Sequence, residues 1–349
     1  MSVRRVRVLV VDDSAVARAA LTRGLSQDPN IEVVGQARDP FEARDQILAL
    51  SPEVMTLDVE MPRMDGVEFL RRLMPQRPIP TVVVSSLSQR GGQVAMDALA
   101  AGAVDVVCKP SRNLSGGLEA MIGELCTKVK IAATVNVAWR KTREAPAPRT
   151  TPTALAETTD KIIAIGASTG GTEAIRAVLE TFPANAPGVV IVQHMPPGFT
   201  TTFAQRLDET CSMQVREAKD GDRLFPGRAL VAPGALQLKV IRSGGEYLVE
   251  VRPGDKVSGH CPSVDVMFRS VAACAGRNAV GVILTGMGSD GAAGLLEMRK
   301  TGATTVGQDE ATCVIYGMPR VAWENGAVER QKPLDLIGDH VLKSLRGAA

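Results

Sequence analysis

Features that mark several specialised classes of protein are scarce in this sequence of 349 residues. Aromatic residues make up only 3% of the chain, which argues against a surface that stacks on nucleic-acid bases. The formal net charge is +2, too small to indicate nucleic acid or a membrane surface as a main partner. No apolar run approaches the roughly 20 residues of a membrane-spanning helix, and no signal-peptide pattern opens the chain. We therefore expect a cytoplasmic protein that binds no nucleic acid and inserts into no membrane.

The six cysteines are scattered along the chain and form no C-x-x-C pair. This spacing is typical neither of a disulfide framework nor of a zinc site, and it favours reduced thiols in the cytoplasm. Histidine is scarcer still, with only His194, His260 and His340. Any histidine chemistry must therefore use one of these three side chains.

Short apolar runs alternate with helix-like segments in both halves of the chain, which is long enough for two ordinary domains. This alternation predicts an α/β fold in which helices cover parallel sheets. The main predicted strands span residues 6–11, 31–37, 54–57, 81–84 and 104–108 in the first half, and 162–165, 188–192, 279–284 and 304–306 in the second. We therefore predict two doubly wound parallel-sheet domains.

Proline, threonine and charged residues without apolar periodicity separate the two halves. This composition is typical of a linker, although the run at 145–153 also suits a docking peptide. We predict domains at residues 1–126 and 160–349, joined by a linker at 127–159.

Polar side chains follow four of the predicted strands in the first half: Asp12, Asp13, Asp58, Ser85 and Lys109. The carboxyl ends of parallel strands meet at one edge of the sheet, where a binding site is expected. Three carboxylates meeting there would repel one another unless a hard cation joined them, and Mg²⁺ is the natural partner. Each acid alone also suits a helix cap or a turn, but coincidence at several strand ends favours a site.

This half resembles the response-regulator receiver domain, which is flavodoxin-like. The matching residues are Asp12-Asp13-Ser14, Asp58 with the following Met61-Pro62-x-Met64-Asp65-Gly66, Ser85, and Lys109-Pro110. The resemblance implies that Asp58 accepts a phosphoryl group from a histidine kinase and that Asp12, Asp13 and Asp58 hold Mg²⁺. It also implies that Ser85 and Lys109 contact the phosphoryl group, whose charge would shift the domain between two states.

The second half opens with a buried strand, a glycine turn and a helix around Gly166-Ala167-Ser168-Thr169-Gly170. A serine in this G-x-S-x-G pattern is typical of a nucleophile elbow. The same turn also suits a generic anion site at a helix N-terminus, or a plain turn. Ser168 alone therefore does not decide between a nucleophile and a structural turn.

His194 and Asp290 also fall at or just past the carboxyl ends of predicted strands. A serine, a histidine and an aspartate at one sheet edge form the arrangement used for acyl transfer. The order Ser, His, Asp differs from that of the α/β-hydrolases, so the pattern does not predict that fold. Backbone N–H groups near Met287 and Thr169 are candidates for an oxyanion hole.

Other residues compete for these roles. Asp265 and Asp309 are alternatives to Asp290 on composition alone, and Asp290 itself suits a cap on the following helix. His260 lies in a predicted loop and can line a pocket, whereas His340 is expected near the surface of the C-terminal tail. We prefer Asp290 because a strand precedes it and glycines flank it closely.

The second half resembles the catalytic domain of the chemotaxis protein-glutamate methylesterase family. The motifs that carry the resemblance are Ile165-Gly166-Ala167-Ser168-Thr169-Gly170-Gly171, Gln193-His194-Met195, residues 262–268 (PSVDVMF), and residues 284–291 (LTGMGSDG). The resemblance implies a Rossmann-like, cofactor-independent esterase that uses Ser168, His194 and Asp290 on methylated chemoreceptors and that also deamidates glutamine. The family usually carries a histidine where this chain has Gln237, which raises a question about substrate fit.

Our hypothesis from the sequence is an esterase, expected to be a monomer, that the first half restrains until Asp58 is phosphorylated. A DNA-binding response regulator is the first rival, but the charge and the lack of a helix-turn-helix pattern argue against it. A non-catalytic module that binds receptor tails is the second. Such a module would not need serine, histidine and aspartate at three separate strand ends.

Overall fold

The computed structural model of the protein describes residues 4–61, 64–86, 88–110, 117–135 and 160–345. The chain divides into two compact units, Met1–Ala145 and Pro146–Ala349. Most of the predicted linker, residues 136–159, lies outside the described residues. Within the described ranges, no helix combines the length and apolarity that crossing a membrane requires.

The first unit alternates strands and helices without interruption. Its elements are β1 (Val6–Val11), α1 (Ala15–Leu25), β2 (Ile31–Ala37), α2 (Pro40–Leu50), β3 (Val54–Asp58), α3 (Gly66–Gln76), β4 (Thr81–Ser85), α4 (Gln89–Ala100), β5 (Asp105–Cys108) and α5 (Gly117–Ala132). The strands form one parallel sheet in the order β2-β1-β3-β4-β5. This is the flavodoxin-like order, and the predicted domain boundary at residue 126 falls inside α5.

The local sequence explains why the polar residues of this unit gather at one edge. The residues of β3 and β4 are buried throughout, as expected for central parallel strands that helices cover on both faces. The chain segments that leave β1, β2, β3 and β4 each turn into a helix capped by a polar side chain. The Ser14 hydroxyl accepts from Ala17 N–H at the start of α1, and the Asp65 carboxylate accepts from Glu68 N–H at the start of α3.

The second unit is built on a larger sheet. Its elements are β6 (Ile162–Ala167), α6 (Gly171–Leu179), β7 (Gly188–Gln193), α7 (Phe199–Thr210), β8 (Gln214–Glu217), β9 (Arg223–Leu224), β10 (Arg228–Val231), β11 (Gln237–Ser243), β12 (Glu246–Arg252), α8 (Val264–Ala275), β13 (Ala279–Ile283), α9 (Ala292–Lys300), β14 (Thr304–Gln308), α10 (Met318–Glu324), β15 (Arg330–Lys332) and α11 (Leu334–Leu345). Seven strands are parallel, in the order β15-β14-β13-β6-β7-β10-β8. The remaining three form a small antiparallel sheet, β11-β12-β9.

The central strand β6 lies between β7 and β13. The strands β6, β7 and β13 are buried along their whole length, which is why each appears in the sequence as an uninterrupted apolar run. The chain leaving β6 continues to β7 on one side, and the chain leaving β13 continues to β14 on the other. The connections therefore reverse direction beside β6, and in such sheets ligands bind at the carboxyl ends at this point.

Candidate active site

Ser168 occupies a sharp turn at the carboxyl end of β6. Its N–H donates to the Thr285 carbonyl at 3.0 Å, and its carbonyl accepts from Gly171 N–H at 2.7 Å. Gly170 completes the turn with a φ of +78°, a conformation that L side chains rarely adopt. Backbone hydrogen bonds from the N–H and to the carbonyl of Ser168 therefore hold the turn in place, and α6 begins directly after it.

Gln193, the last residue of β7, was part of a motif in the sequence analysis, which gave it no role. Its Nε2 atom donates to the carbonyl of Ser168 at 2.9 Å and to the carbonyl of His194 at 3.2 Å. One side chain therefore joins the turn that carries the serine to the residue that carries the imidazole. The available signal was a polar side chain that ends a fully apolar strand.

His194 begins the loop after β7, and its N–H donates to the Ala167 carbonyl at 3.1 Å. Its side chain is only 7% exposed, and Nε2 lies 2.8 Å from Oδ2 of Asp290. The buried Nδ1 atom has no hydrogen-bond partner within the described part of the chain. Because Asp290 occupies Nε2, Nδ1 is the ring nitrogen available to take a proton from a hydroxyl group.

Asp290 reaches across to the N-terminus of α8. Its Oδ1 accepts from the Ser263 hydroxyl at 2.8 Å and Asp265 N–H at 3.1 Å, and its Oδ2 accepts from Val264 N–H at 2.7 Å. Burial would raise the pKa of Asp290, but hydrogen bonds from His194, Ser263 and Val264 outweigh it and lower that pKa below its usual value. Asp290 therefore remains a carboxylate, and it does not cap α9, whose N-cap is Gly291.

The other acids considered at this edge have different partners. The Asp265 carboxylate accepts from Gly294 N–H at 2.7 Å and from the Ser258 hydroxyl at 3.3 Å. Burial raises the pKa of Asp265 above its usual value. Asp309 accepts from the N–H and the hydroxyl of Thr312. Within the described residues, the carboxylate that accepts a hydrogen bond from His194 is that of Asp290.

The two remaining histidines lie in different surroundings. His340 lies in α11, where burial lowers its pKa. The ring of His260 instead stacks on the ring of His194, with centroids 3.6 Å apart and planes 8° apart. The loop position expected for His260 therefore brings it into direct contact with His194.

Two of the N–H groups around the serine already have acceptors. Ser168 N–H bonds to Thr285, and Gly286 N–H bonds to the Ile315 carbonyl at 3.1 Å. Thr169 is buried, and its carbonyl accepts from the Thr285 hydroxyl at 3.0 Å. The Met287 side chain is 46% exposed on the loop after β13. Of the loop N–H groups considered, that of Met287 stays the oxyanion candidate best suited to a substrate arriving from solvent.

The first unit gathers its acidic residues as expected. Carboxylate oxygens of Asp12, Asp13 and Asp58 all lie within 4.8 Å of one another. Lys109 Nζ lies 2.6 Å from Asp58 Oδ2 and 3.0 Å from Asp12 Oδ2. Burial would lower the pKa of Lys109, but contacts with Asp58 and Asp12 raise it overall. The ammonium group therefore bridges the two buried acids.

The donor set of this cluster fits Mg²⁺. It offers only carboxylate oxygens, which Mg²⁺ prefers, and Asp12 and Asp58 are buried while Asp13 is exposed. Burial and the neighbouring Asp58 carboxylate raise the pKa of Asp12 above its usual value, although the contact with Lys109 opposes them. Ser85 lies at the end of β4 beside this cluster's strands, and its hydroxyl donates to the Gly91 carbonyl at 3.0 Å.

Comparison with known proteins agrees with this division of the chain. A model for the response regulator receiver domain matches residues 8–115, and a CheB methylesterase model matches residues 163–341. The catalytic domain of CheB methylesterase from Thermotoga maritima superposes with a TM-score of 0.52 at 36% identity, covering 53% of this chain and 98% of that one.

Curated relatives match over nearly the whole chain. A protein-glutamate methylesterase/protein-glutamine glutaminase from Syntrophotalea carbinolica is 58% identical and covers 98% of each chain. One from Sulfurimonas denitrificans is 52% identical and covers 95% of this chain and 96% of its own. Fold and matches together define a response-regulator receiver domain followed by a methylesterase domain. The chain belongs to the CheB methylesterase family, which confirms the predicted fold class and the resemblance.

Proposed function

We propose that this protein hydrolyses glutamate methyl esters on the cytoplasmic domains of chemoreceptors, that it also deamidates specific glutamines, and that phosphorylation of Asp58 activates it. The observation that carries the proposal is the hydrogen bond between His194 and Asp290 beside the Ser168 turn. The names of the curated relatives supply protein glutamate methyl esters and protein glutamines as the substrate class, and the resemblance to the chemotaxis family supplies the chemoreceptors.

In the proposed reaction, Ser168 Oγ gives its proton to Nδ1 of His194 and attacks the ester carbonyl carbon. The Met287 N–H stabilises the resulting oxyanion, and Thr169 N–H is the second candidate donor; one such bond is typically worth about 3–4 kcal/mol. His194 then protonates the departing methoxy group, which leaves as methanol. Water, activated by the same imidazole, releases glutamate and regenerates the serine. A glutamine substrate would release ammonia instead.

Asp290 has a positioning and electrostatic role in this scheme. Its hydrogen bond to Nε2 fixes the tautomer in which Nδ1 can accept the serine proton. Its low pKa keeps the carboxylate charged when the imidazole becomes positive. The N–H groups at the start of α8 hold the carboxylate in place, so little reorganisation accompanies the reaction.

In the first domain, we propose that Asp58 receives a phosphoryl group from a histidine kinase. Mg²⁺ held by Asp12, Asp13 and Asp58 would neutralise charge there. Lys109, already in contact with Asp58, is the group that would pair with the new phosphoryl oxygens. The Ser85 hydroxyl would exchange its bond to Gly91 for one to the phosphoryl group. We assign the protein to the cytoplasm as a monomer, with two domains and a linker between them that begins after α5.

Methanol release from a methylated receptor fragment tests the proposal. Wild type and Ser168→Ala are compared, each with and without acetyl phosphate and Mg²⁺. We expect release by wild type to rise with the phosphodonor and release by Ser168→Ala to vanish. Release that survives Ser168→Ala would refute the nucleophile. The Asp58→Ala variant is the matched control, because it should keep basal release and lose the response to the phosphodonor.

A further inference from the structure

His260 faces His194 from a tightly closed turn. Val257 and His260 exchange two backbone hydrogen bonds, of 3.0 Å and 2.9 Å, around Ser258 and Gly259. Both residues inside the turn have positive φ, 52° for Ser258 and 83° for Gly259, as a two-residue type I′ turn requires. The backbone that carries the His260 ring is therefore held from both sides.

Gln237 connects this turn to the rest of the site. Its Nε2 atom donates to the carbonyls of Asp255 and His260, at 2.8 Å and 3.4 Å. Its Oε1 atom accepts from Ser263 N–H at 2.9 Å. Gln237 is 7% exposed and Ser263 is fully buried, so loss of the bond between them would leave Ser263 N–H without a partner. A single side chain thus links the loop that carries His260 to Ser263, which also bonds to Asp290.

The imidazole of His194 needs a second restraint beyond Asp290. One hydrogen bond at Nε2 still permits the ring to turn about the line that joins it to the carboxylate. Such a rotation would make the Nδ1 lone pair point in a different direction from the one it has in the folded site. A flat ring in van der Waals contact with the His194 face blocks this rotation, and the near-parallel stack at 3.6 Å provides it.

We propose that His260 is a positioning residue that fixes the plane of His194, and that Gln237 holds His260 in place. The proposal rests on the proposed role of His194 as the base. It gives a role to Gln237, which stands where the family usually has a histidine. In this proposal it is the aromatic face of His260 that acts on His194.

Kinetics of His260→Ala and His260→Phe in the full-length chain test the role of the face. We expect His260→Ala to lower kcat about tenfold with KM within about twofold, because misplacement of a catalytic group costs rate more than substrate affinity. His260→Phe keeps a flat ring and should retain more than half of the wild-type kcat. An unchanged kcat in His260→Ala would overturn the proposal. Equal losses in both variants would overturn the role of the face.

A double-mutant cycle tests the link to Gln237. We expect Gln237→Leu to lower kcat, and we expect the double variant Gln237→Leu/His260→Ala to be no slower than His260→Ala alone. Fully additive losses would show that Gln237 acts independently of His260 and would overturn that half of the proposal.

Proton NMR gives a readout that is independent of turnover. The chain has only three histidines, so the ring signals of His194 can be assigned by single substitutions. Removing the stacked ring in His260→Ala should shift the His194 ring protons, and His260→Phe should keep a ring-current shift. Unmoved His194 signals in His260→Ala would refute the stack.

The Ser168→Ala variant separates this proposal from the proposed function. If Ser168→Ala is inactive and His260→Ala matches wild type, only the positioning role fails. If Ser168→Ala stays active, the proposed chemistry fails, and the NMR result then decides whether the stack exists. The melting temperature of each His260 variant must lie close to that of wild type for the kinetic comparison to count.

Discussion

A side-chain carbon added at Gly286 would lie 2.7 Å from Cβ of Ser168 and 2.4 Å from Sδ of Met318. The loop after β13 therefore packs directly against the serine turn. We predict that Gly286→Ala displaces Ser168, lowers kcat at least about a hundredfold, and destabilises the fold by about 1–3 kcal/mol. Methanol release and denaturant unfolding would measure the two effects.

Gly288→Ala is the matched control in the same loop. Gly288 has a φ of +88°, so alanine there is strained by about 1 kcal/mol, but no atom lies within 4 Å of the added carbon. We expect a similar loss of stability and a much smaller loss of kcat. Equal loss of kcat in both variants would contradict the importance of the Gly286–Ser168 contact.

Asp290→Asn should show how much of kcat depends on the negative charge of Asp290, because asparagine keeps the shape of the side chain. An amide NH₂ in place of Oδ2 would face both His194 Nε2 and Val264 N–H, and in place of Oδ1 it would face Asp265 N–H, so at least one hydrogen bond is lost. We expect kcat to fall by about 10⁴, as when a triad aspartate becomes asparagine. Because the folded pKa of Asp290 is lowered, its carboxylate stabilises the fold at neutral pH, and this contribution is lost as pH falls below about 3.9 toward the folded pKa.

Asp265→Asn is the control for that variant. Asp265 is also buried at the start of α8, but its partners are Gly294 and Ser258 rather than His194. Asparagine can keep the bond from Gly294 N–H through its amide oxygen. We expect kcat within about twofold of wild type, and a fall as large as that of Asp290→Asn would mean that charge near α8, not contact with His194, controls activity.

Asp12→Asn should stabilise the metal-free protein at pH 7. Burial raises the folded pKa of Asp12, so the folded state holds its proton more tightly than the unfolded state. Stability from this site is therefore greatest at low pH and decreases as pH rises through the folded pKa. A neutral amide removes the cost of burying the charged carboxylate. We therefore expect the melting temperature of Asp12→Asn to be higher than that of wild type by about 2–4 °C, measured by calorimetry with a chelator.

Added Mg²⁺ should make the melting temperature of wild type higher than that of Asp12→Asn, the reverse of the order in the chelator. Wild type should gain melting temperature with added Mg²⁺, whereas Asp12→Asn should gain little, because it lacks a ligand. Asp13→Asn provides the comparison, since Asp13 is exposed in the same cluster. It should weaken the response to Mg²⁺ without raising stability in the chelator. If Asp12→Asn melted below wild type in the chelator, the prediction that burial of the Asp12 carboxylate destabilises the fold would be contradicted.

The cysteines should react slowly with alkylating agents. Burial raises the pKa of Cys211 and of Cys274 to about 11 each, and that of Cys108 to about 12. At pH 8 their thiolate fractions are more than about a hundredfold below that of an ordinary cysteine with a pKa near 8.5. Peptide mapping after iodoacetamide treatment should show slow labelling that speeds up about tenfold between pH 8 and pH 9. Labelling as fast as in denaturant would contradict this prediction.

Much of the fold was predictable because buried parallel strands appear in the sequence as apolar runs. The runs at 6–11, 31–37 and 188–192 match β1, β2 and β7 within one residue at each end. The short edge strand β15 (Arg330–Lys332) and the hairpin strands carry weaker patterns, and the sequence did not define them. Their pairing depends on neighbours that are distant along the chain.

Strand ends also predicted where Ser168, His194 and Asp58 lie, because parallel strands share one carboxyl edge. The roles of Gln193 and Gln237 were not predictable in the same way. Each contacts loops whose positions follow from tertiary packing rather than from periodicity. The Ser263 contact with Asp290 joins residues 27 positions apart, and the first turn of α8 supplies the donors that keep Asp290 charged.

The hairpin β11–β12 has one end at the active site and the other in solvent. Gln237 pairs with Arg252 at the first end, and Ser243 pairs with Glu246 around the exposed turn Gly244-Gly245 at the other. Six residue steps separate these ends, a distance of about 20 Å. A fluorophore attached at the glycine turn would therefore lie in solvent yet on the same strand pair as Gln237, giving an optical reference point about 20 Å from the active site.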